Sequence, residues 1–150
     1  AEEAAAAARR GRGGGGGGGG GTVIPLQYCP VAGPNTFVDS WGAPRSGGRR
    51  HKGVDMMSPH GTPTVAPVGG RVEHRGNAIG GMSYHLYGSD GHYYYGTHLS
   101  AYGQGGQVSA GTVIGYVGST GNASSPHLHF EIHPYGGAAI NPTPSVAAIC

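Results

Sequence analysis

The sequence feature that most constrains the fold is the strict alternation of polar and apolar residues from His127 to Ile132. Alternation with a period of two is typical of a β-strand with one buried face, because successive side chains of a strand point to opposite faces. The pattern assigns three residues to a core and three to a cleft: Leu128, Phe130 and Ile132 against His127, His129 and Glu131. Adjacent positions on one face lie about 6–7 Å apart, so one histidine can bind a metal ion while the other reaches a water molecule beside it.

Short β-like segments recur along the chain and are separated by turn residues such as Gly76-Asn77 and Thr120-Gly121-Asn122. Glycine supplies 33 of the 150 residues, far above average usage, and no segment after residue 22 has a convincing helical period. The pattern predicts an all-β domain whose antiparallel strands form a sandwich or a partly open barrel. The predicted strands are Pro63–Ala66, Gly70–His74, Met82–Tyr87, His92–Tyr95, Thr112–Val117 and His127–Ile132.

A second informative segment, residues 51–55, places His51 four residues before Asp55. That spacing suits two ligands on one helical turn, but Gly53 and the glycines and proline upstream make a helix unfavourable. On a straight strand the two Cα atoms would lie about 13 Å apart, which is long for sharing one ion. The chain must therefore bend at Gly53, with His51 at the end of a loop and Asp55 inside the next strand. With the two histidines of the alternating strand, these residues supply the ligand types that a catalytic zinc ion prefers.

The first 21 residues differ in composition from the rest. Residues 1–10 have high helix propensity but no apolar stripe to bury, and Gly13 to Gly21 are typical of a flexible tether. We therefore divide the chain into an alanine-rich helix remnant with a polyglycine linker, residues 1–21, and one domain, residues 22–150. The chain begins with Ala1 rather than Met and has no signal-peptide pattern, which predicts a mature or truncated piece of a protein. Our hypothesis is that a missing N-terminal helix docks to a membrane or division-site partner.

The net charge and the two cysteines limit which partners and which cellular compartment the sequence predicts. A formal net charge of +2 gives no reason to expect nucleic acid or an anionic membrane as a partner, and no apolar run approaches the ~18 residues of a membrane span. The two cysteines, Cys29 and Cys150, flank the globular part. They are either free thiols or, as we favour, a disulfide that joins the ends of the domain, which implies an oxidising, extracytoplasmic setting.

Several motifs follow one another in an order that resembles the lysostaphin-type (LytM-like) zinc metallo-endopeptidases, a family of bacterial cell-wall hydrolases. The first half of the chain shows His51-x-Gly53-Val54-Asp55, then Gly61-Thr62-Pro63 and Val65-Ala66-Pro67. The second half shows Tyr95-Gly96-Thr97-His98-Leu99-Ser100, then Gly118-Ser119-Thr120-Gly121 and Pro126-His127-Leu128-His129-Phe130-Glu131. The resemblance covers residues 37–142, and the combination of blocks makes it specific.

The resemblance implies an all-β domain with long loops around a groove that holds one zinc ion. His51, Asp55 and His129 would ligate the zinc and leave a fourth position open, and His98 and His127 would be the catalytic pair. The implied reaction is hydrolysis of the peptide cross-links or stems of bacterial peptidoglycan by a zinc-activated water molecule. The sequence leaves open whether a glycine bridge or a D-alanyl–diaminopimelate link is cut.

Tyrosines and arginines are candidate substrate contacts in the expected groove. Tyr95 and its neighbours would give aromatic walls for a thin peptide, and Arg45, Arg49 and Arg50 would pair with carboxylates of stem peptides. The alternatives are ordinary strand packing for the tyrosines and a solvated loop for the arginines. The tyrosines concerned are Tyr84, Tyr87, Tyr93, Tyr94, Tyr95 and Tyr102, and the histidines expected to have no role are His60, His74, His85, His92 and His133.

Two other functional classes compete with a peptidase. A catalytically silent wall-binding or activator module would lack a metal ligand or a catalytic histidine, whereas this sequence has all five residues. A carrier domain would need an exposed lysine, or a phosphorylatable histidine without an aspartate ligand nearby. The only lysine, Lys52, adjoins His51, so the sequence favours the peptidase.

Overall fold

Antiparallel strands build almost all of the domain in residues 22–150, the part of the chain that this computed structural model describes. The predicted helix remnant and polyglycine linker lie outside the described residues. A short helix, α1 (Thr143–Ala147), and two 3-10 turns, Ser46–Gly48 and Pro134–Gly136, complete the regular structure of the described part. Its eight strands are β1 (Val54–Met57), β2 (Pro63–Val65), β3 (Gly70–His74), β4 (Met82–Gly88), β5 (Tyr93–Tyr102), β6 (Gly106–Val108), β7 (Val113–Val117) and β8 (His127–His133).

The long strand β5 organises the sheet, because it changes partner along its length. Its residues 93–97 pair with β8, and its residues 99–102 pair with β7, which in turn pairs with β2. The main path runs β1-β8-β5-β4-β3-β6 and does not close on itself. The predicted all-β antiparallel fold is thus confirmed, in its partly open form.

The structure extends the predicted elements in three places. The segment predicted as His92–Tyr95 continues to Tyr102, because backbone pairing persists where the apolar alternation is interrupted. Strand β6 has three residues and no alternation that could reveal it. Helix α1 has five residues, too few to show a helical period.

Alternate residues along the strands face the core and the open face of the sheet. Leu128, Phe130 and Ile132 of β8 are fully buried, as the alternation predicts. The pairing register continues this inward face through Tyr94 of β5 and Tyr84 of β4, which are also fully buried. The expectation that these two tyrosines flank a groove is therefore wrong: they are core residues, and only tyrosines of the opposite parity reach the open face.

The two ends of the described chain are joined covalently and by hydrogen bonding. Cys29 and Cys150 form a disulfide, in agreement with the predicted pairing. The Ile24 N–H donates to the buried hydroxyl of Ser145 in α1, 2.9 Å away, and Val146 of the same helix is fully buried in the core. Across residues 22–150, the structure contains no helix of the length and apolar character that a membrane span requires.

Candidate metal centre

Three side chains converge on one point beside β1 and β8. His51 Nε2, Asp55 Oδ1 and His129 Nδ1 lie 3.0–3.1 Å from one another. Donor atoms in a tetrahedral zinc site are about 3.3 Å apart, given bonds of about 2.0–2.1 Å. This metal triangle, as we call the three atoms, therefore has the size and the donor chemistry that fit one zinc ion.

Strand pairing and one glycine bring these side chains together. Asp55 lies directly opposite His129 in the β1–β8 ladder, so both project from the open face, and His51 reaches the same point from the loop before β1. A Cβ at Gly53 would lie 2.6 Å from Phe130 O and 2.7 Å from His129 Cε1. The bend expected between His51 and Asp55 is present, but the glycine is required by close packing against β8 rather than by a left-handed backbone.

Both imidazoles of the metal triangle are held from the side away from it. His51 Nδ1–H donates to the carbonyl oxygen of Ser40 at 3.2 Å, and the Ser40 hydroxyl lies 2.9 Å from the same nitrogen. His129 Nε2–H donates to Glu131 Oε2 at 2.7 Å. These contacts assign the proton of each neutral ring to the outer nitrogen, and they leave a lone pair on His51 Nε2 and His129 Nδ1 for a metal ion.

Burial and hydrogen bonding shift the pKa values of the site residues in opposite directions. Burial raises the pKa of Asp55, but its contacts with the imidazoles of His129 and His51 outweigh it and hold the pKa well below its usual range. Burial lowers the pKa of His129, but hydrogen bonds to Asp55 and Glu131 outweigh it and raise the pKa to about 9. In the metal-free protein, His129 therefore carries a proton that a metal ion must displace.

Two further histidines face the metal triangle. His127 Nε2 lies 3.7 Å from Asp55 Oδ1, and the ring centroids of His98 and His127 are 4.8 Å apart. Each ring donates its Nδ1–H to a backbone carbonyl, Ser125 O at 2.8 Å for His127 and Thr120 O at 2.7 Å for His98. In the neutral rings Nε2 is thus left as an acceptor. Burial lowers the pKa of His98, which favours its neutral form.

His98 occupies a strained backbone position where β5 changes partner. Its φ of 66° lies in the left-handed region, which residues with side chains rarely adopt. Thr97 pairs with β8 and Leu99 with β7, and the His98 N–H donates to Gly80 O at 2.7 Å. Such outliers persist where the surrounding contacts over-determine them, and they cluster at functional sites. Sequence reasoning has no signal for this conformation.

The metal triangle and both flanking histidines lie within residues 49–142, which match the sequence profile of Peptidase family M23. The chain belongs to peptidase family M23. It is similar to DD-carboxypeptidase/endopeptidase Mpg of Neisseria meningitidis, with 41% identity over 101 residues that cover 63% of this chain and 22% of Mpg. The chain thus spans about a fifth of the length of the curated relatives that it matches first.

Solved M23 structures resemble this one across most of the domain. The structure of LytM from Ruminococcus gnavus superimposes with a TM-score of 0.72 and 27% identity, covering 82% of this chain and 60% of that one. The catalytic domain of the antimicrobial peptidase lysostaphin from Staphylococcus simulans gives a TM-score of 0.66 and 33% identity, covering 75% of this chain and 92% of that one.

The M23 site opens into a cavity of about 610 Å³. Its lining includes four of the predicted substrate contacts, Arg45, Arg49, Arg50 and Tyr95. The hydroxyl oxygen of Tyr95 accepts a hydrogen bond from Asn77 Nδ2 at 2.7 Å. Of the other predicted tyrosines, Tyr102 lies at the far end of β5 and stacks on His74 with ring centroids 4.4 Å apart. Tyr95 is the only one of the predicted tyrosines that lines this cavity.

Arg45 stands directly beside the metal triangle, although it precedes the stretch that matches the family. Its Nη2 lies 3.3 Å from Asp55 Oδ2, the carboxylate oxygen that does not belong to the triangle. The Asp55 carboxylate thus faces the metal position with one oxygen and a guanidinium with the other. A cation so placed can contact a negatively charged group of a bound substrate.

Sequence reasoning missed the residues that hold the site in place. Thr120 is the main example: its Oγ1 accepts the Met82 N–H at 3.1 Å and donates to Leu99 O at 2.7 Å, while its carbonyl binds His98. His133, expected to have no role, donates its Nε2–H to Glu131 Oε1 at 2.7 Å. Both residues lie in or beside recognisable motifs. The partners of Thr120 are distant in sequence, and the contact of His133 with Glu131 depends on the side-chain rotamers, so the sequence pattern predicts neither set of contacts.

Proposed function

We propose that this M23 domain is a zinc-dependent endopeptidase that hydrolyses peptide cross-links or stems of bacterial peptidoglycan outside the cytoplasm. The observation that carries the proposal is the metal triangle flanked by two histidines whose Nε2 atoms are acceptors. Membership of a peptidase family and similarity to proteins named as an endopeptidase and as lysostaphin support it. The Cys29–Cys150 disulfide supports an oxidising compartment.

His51, Asp55 and His129 would hold one zinc ion through Nε2, Oδ1 and Nδ1. Three protein ligands leave a coordination position open, as catalytic rather than structural zinc sites do. A zinc ion bound there would polarise a peptide carbonyl and acidify a water molecule. Ser40 and Glu131 would keep the two imidazoles in the ligand tautomer.

His127 and His98 would carry the proton. His127 Nε2 lies nearer to the metal triangle, 3.7 Å from Asp55 Oδ1, and we assign it as the base that takes a proton from the attacking water. The neutral form of His98 has its proton on Nδ1, toward Thr120 O. Its Nε2 can therefore donate to a developing oxyanion only after it has taken up a proton. The two neighbouring rings would then act as a pair that takes up the proton and later returns it.

The charge of the cavity favours a substrate that carries carboxylates. Four cationic side chains, Arg45, Arg49, Arg50 and Lys52, line the cavity from the loop that leads into β1. Guanidinium groups recognise carboxylates with charge-assisted, directional hydrogen bonds. Stem peptides with free carboxylates satisfy this requirement, whereas a glycine bridge has no charged side chain. We therefore place the D-alanyl–diaminopimelate type of link ahead of the glycine bridge.

Digestion of two kinds of peptidoglycan tests the proposal. The zinc-loaded protein is incubated with sacculi that contain direct D-alanyl–diaminopimelate links and with sacculi that contain glycine bridges, and mass spectrometry identifies the released fragments. We expect cleavage of the first kind. The variant His127→Ala should keep its zinc and lose turnover, while His60→Ala, at an exposed histidine, should retain both. Binding to sacculi without release of any fragment from either kind would contradict the proposal and indicate a silent wall-binding module.

The role of the N-terminal segment is a separate part of the proposal. Its alanine-rich and polyglycine composition supports a tether between this domain and a membrane or division-site partner. Deletion of residues 1–21 should disperse the protein in cells without changing the activity of the purified domain. Unchanged localisation of the deleted form would rule the tether out.

A further inference from the structure

Beyond the metal triangle, the open face of the sheet carries a row of neighbouring rings that are tilted against one another. The register places His133 of β8, Tyr93 of β5, Tyr87 of β4 and Arg71 of β3 side by side. Ring centroids are 5.1 Å apart between His133 and Tyr93 and 5.4 Å apart between Tyr93 and Tyr87. The Arg71 guanidinium lies 4.6 Å from the Tyr87 centroid. We call this line of four side chains the aromatic row.

Hydrogen bonds hold the two central rings of the aromatic row in place before any ligand binds. The Tyr93 hydroxyl donates to His85 Nδ1 at 2.7 Å, and Arg75 Nη2 donates to the Tyr87 hydroxyl at 3.3 Å. Each of the two central rings is therefore fixed at its polar tip and flanked by neighbouring rings. Groups that are ordered in the free protein lose little entropy on binding, so the row is suited to recognition.

A second cavity, of about 420 Å³, lies beside the two central rings of the aromatic row, Tyr93 and Tyr87. Its lining consists of four aromatic residues, Tyr87, His92, Tyr93 and Tyr135, together with three glycines, and it includes no aliphatic side chain. The volume falls within the range of about 300–1,000 Å³ that is typical of small-molecule sites. Rings without aliphatic groups suit a flat ligand that has C–H bonds on its face and hydroxyl groups at its edge.

Tyr135 forms an exposed wall of this second cavity. Its side chain is 81% exposed, and its φ of 53° lies in the left-handed region. The Tyr135 N–H donates to His92 Nδ1 at 3.1 Å, and the two rings meet edge to face at 4.6 Å. A large exposed ring held by a strained backbone is the kind of outlier that clusters at ligand-binding and functional sites.

The distance from the metal triangle relates this cavity to the proposed substrate. His133 follows the metal-triangle residue His129 by four positions on β8, which corresponds to about 13 Å. An extended peptide that lies along β8 would span the same interval with about four residues. Because peptidoglycan peptides are short branches of a sugar chain, a sugar ring would lie at this distance from the bond that is cut.

We propose that the aromatic row and the second cavity form a saccharide subsite, which binds an N-acetylhexosamine ring of the glycan strand. The proposal rests on the proposed function for its biological meaning. The aliphatic face of the pyranose would pack on Tyr93, Tyr87 and Tyr135, whose π-faces attract electropositive C–H bonds. Hydroxyl and acetamido groups at its edge would meet the polar tips of Arg71 and His92.

The direct test is titration with a soluble trisaccharide of β-1,4-linked N-acetylglucosamine, followed by amide chemical shifts in NMR. The zinc-loaded protein should bind it at millimolar concentration, with shifts confined to the ends of β4, β5 and β8. Tyr135→Ala should weaken binding about fivefold, the loss expected for one stacked ring. Tyr102→Ala, at an exposed tyrosine at the opposite end of β5, is the matched control and should bind as the wild type does.

A kinetic comparison separates this subsite from the proposed function. One substrate is a cross-linked peptide alone, and the other is the same peptide attached to its glycan chain. Tyr135→Ala should lower kcat/KM about fivefold for the glycan-attached substrate only. Equal losses on both substrates, or a trisaccharide that shifts no amide of the aromatic row, would overturn the subsite. If the wild type cleaves neither substrate, the proposed function fails, and the titration still decides the subsite on its own.

Discussion

The carboxylate of Glu131 accepts the Nε2–H of His129 at 2.7 Å, from the next position on the same face of β8. Its second oxygen accepts the Nε2–H of His133 at 2.7 Å, so both oxygens are occupied. Burial raises the pKa of Glu131, but the hydrogen bonds from His129 and His133 outweigh it and lower the pKa to about 2. A carboxylate that is ionised at neutral pH thus holds the ring of one proposed zinc ligand in place.

Glu131→Gln should weaken zinc binding about 10- to 100-fold, because the amide oxygen keeps the hydrogen bond to His129 but loses the charge that makes the ring a better ligand. Competition with a chromophoric chelator measures the zinc dissociation constant. Glu73→Gln is the matched control, since Glu73 lies on the same face of the sheet but pairs with Arg71 and Arg75. Equal zinc affinities of the two variants would show that Glu131 does not support the metal centre.

Zinc affinity should depend on pH through His129, whose pKa in the metal-free protein is raised to about 9. Below that pH the ring is protonated, and zinc must displace the proton. The apparent affinity should therefore rise about tenfold per unit between neutral pH and pH 9 and then level off. Chelator competition across this range checks the slope, and an affinity that stays flat would mean that His129 is already neutral.

Gly53→Ala should damage the metal centre, because the added Cβ would lie 2.6 Å from Phe130 O and 2.7 Å from a ring carbon of His129. We expect a weaker zinc affinity and a free energy of unfolding lower by about 1–3 kcal/mol, the range for overpacking. Gly69→Ala is the control, since its nearest atom would be 3.4 Å away. Zinc titration and denaturant unfolding measure both quantities. An unchanged Gly53→Ala variant would show that β1 can move away from β8 without cost.

The disulfide should stabilise the domain without taking part in catalysis. It joins residues separated by 121 positions, and closing a loop of that length contributes about 5 kcal/mol in the chain-entropy model. The Cys29→Ser, Cys150→Ser double variant should unfold at lower denaturant concentration and, while folded, bind zinc like the wild type. A loss of zinc affinity in the folded variant would show that the end segments position the metal centre.

How far the sequence predicts the site depends on whether a feature is local. The alternation in β8 predicts both faces of that strand, because the period of two needs no knowledge of other strands. The five histidine and aspartate positions are recognisable as motifs. The backbone conformation of His98 is not recognisable, because its left-handed backbone exists only where β5 leaves β8 and joins β7. That exchange is a property of the whole sheet.

The tyrosine-rich stretch shows the same limit. Tyr93, Tyr94 and Tyr95 are consecutive and identical in type, and only the pairing register decides that Tyr94 enters the core while its neighbours remain on the open face. A shift of one residue would reverse the assignment. Composition thus identified the aromatic residues, and the register assigned them to three places: the core, the metal cavity and the aromatic row.

The account depends most on the proposal that His51, Asp55 and His129 together hold one zinc ion. Diffraction data collected on both sides of the zinc absorption edge, from crystals of the zinc-loaded protein, test this directly. The account predicts one strong anomalous peak bound by His51 Nε2, Asp55 Oδ1 and His129 Nδ1, with His127 and His98 beside it and not bound. A peak elsewhere, or none at the metal triangle, would contradict it.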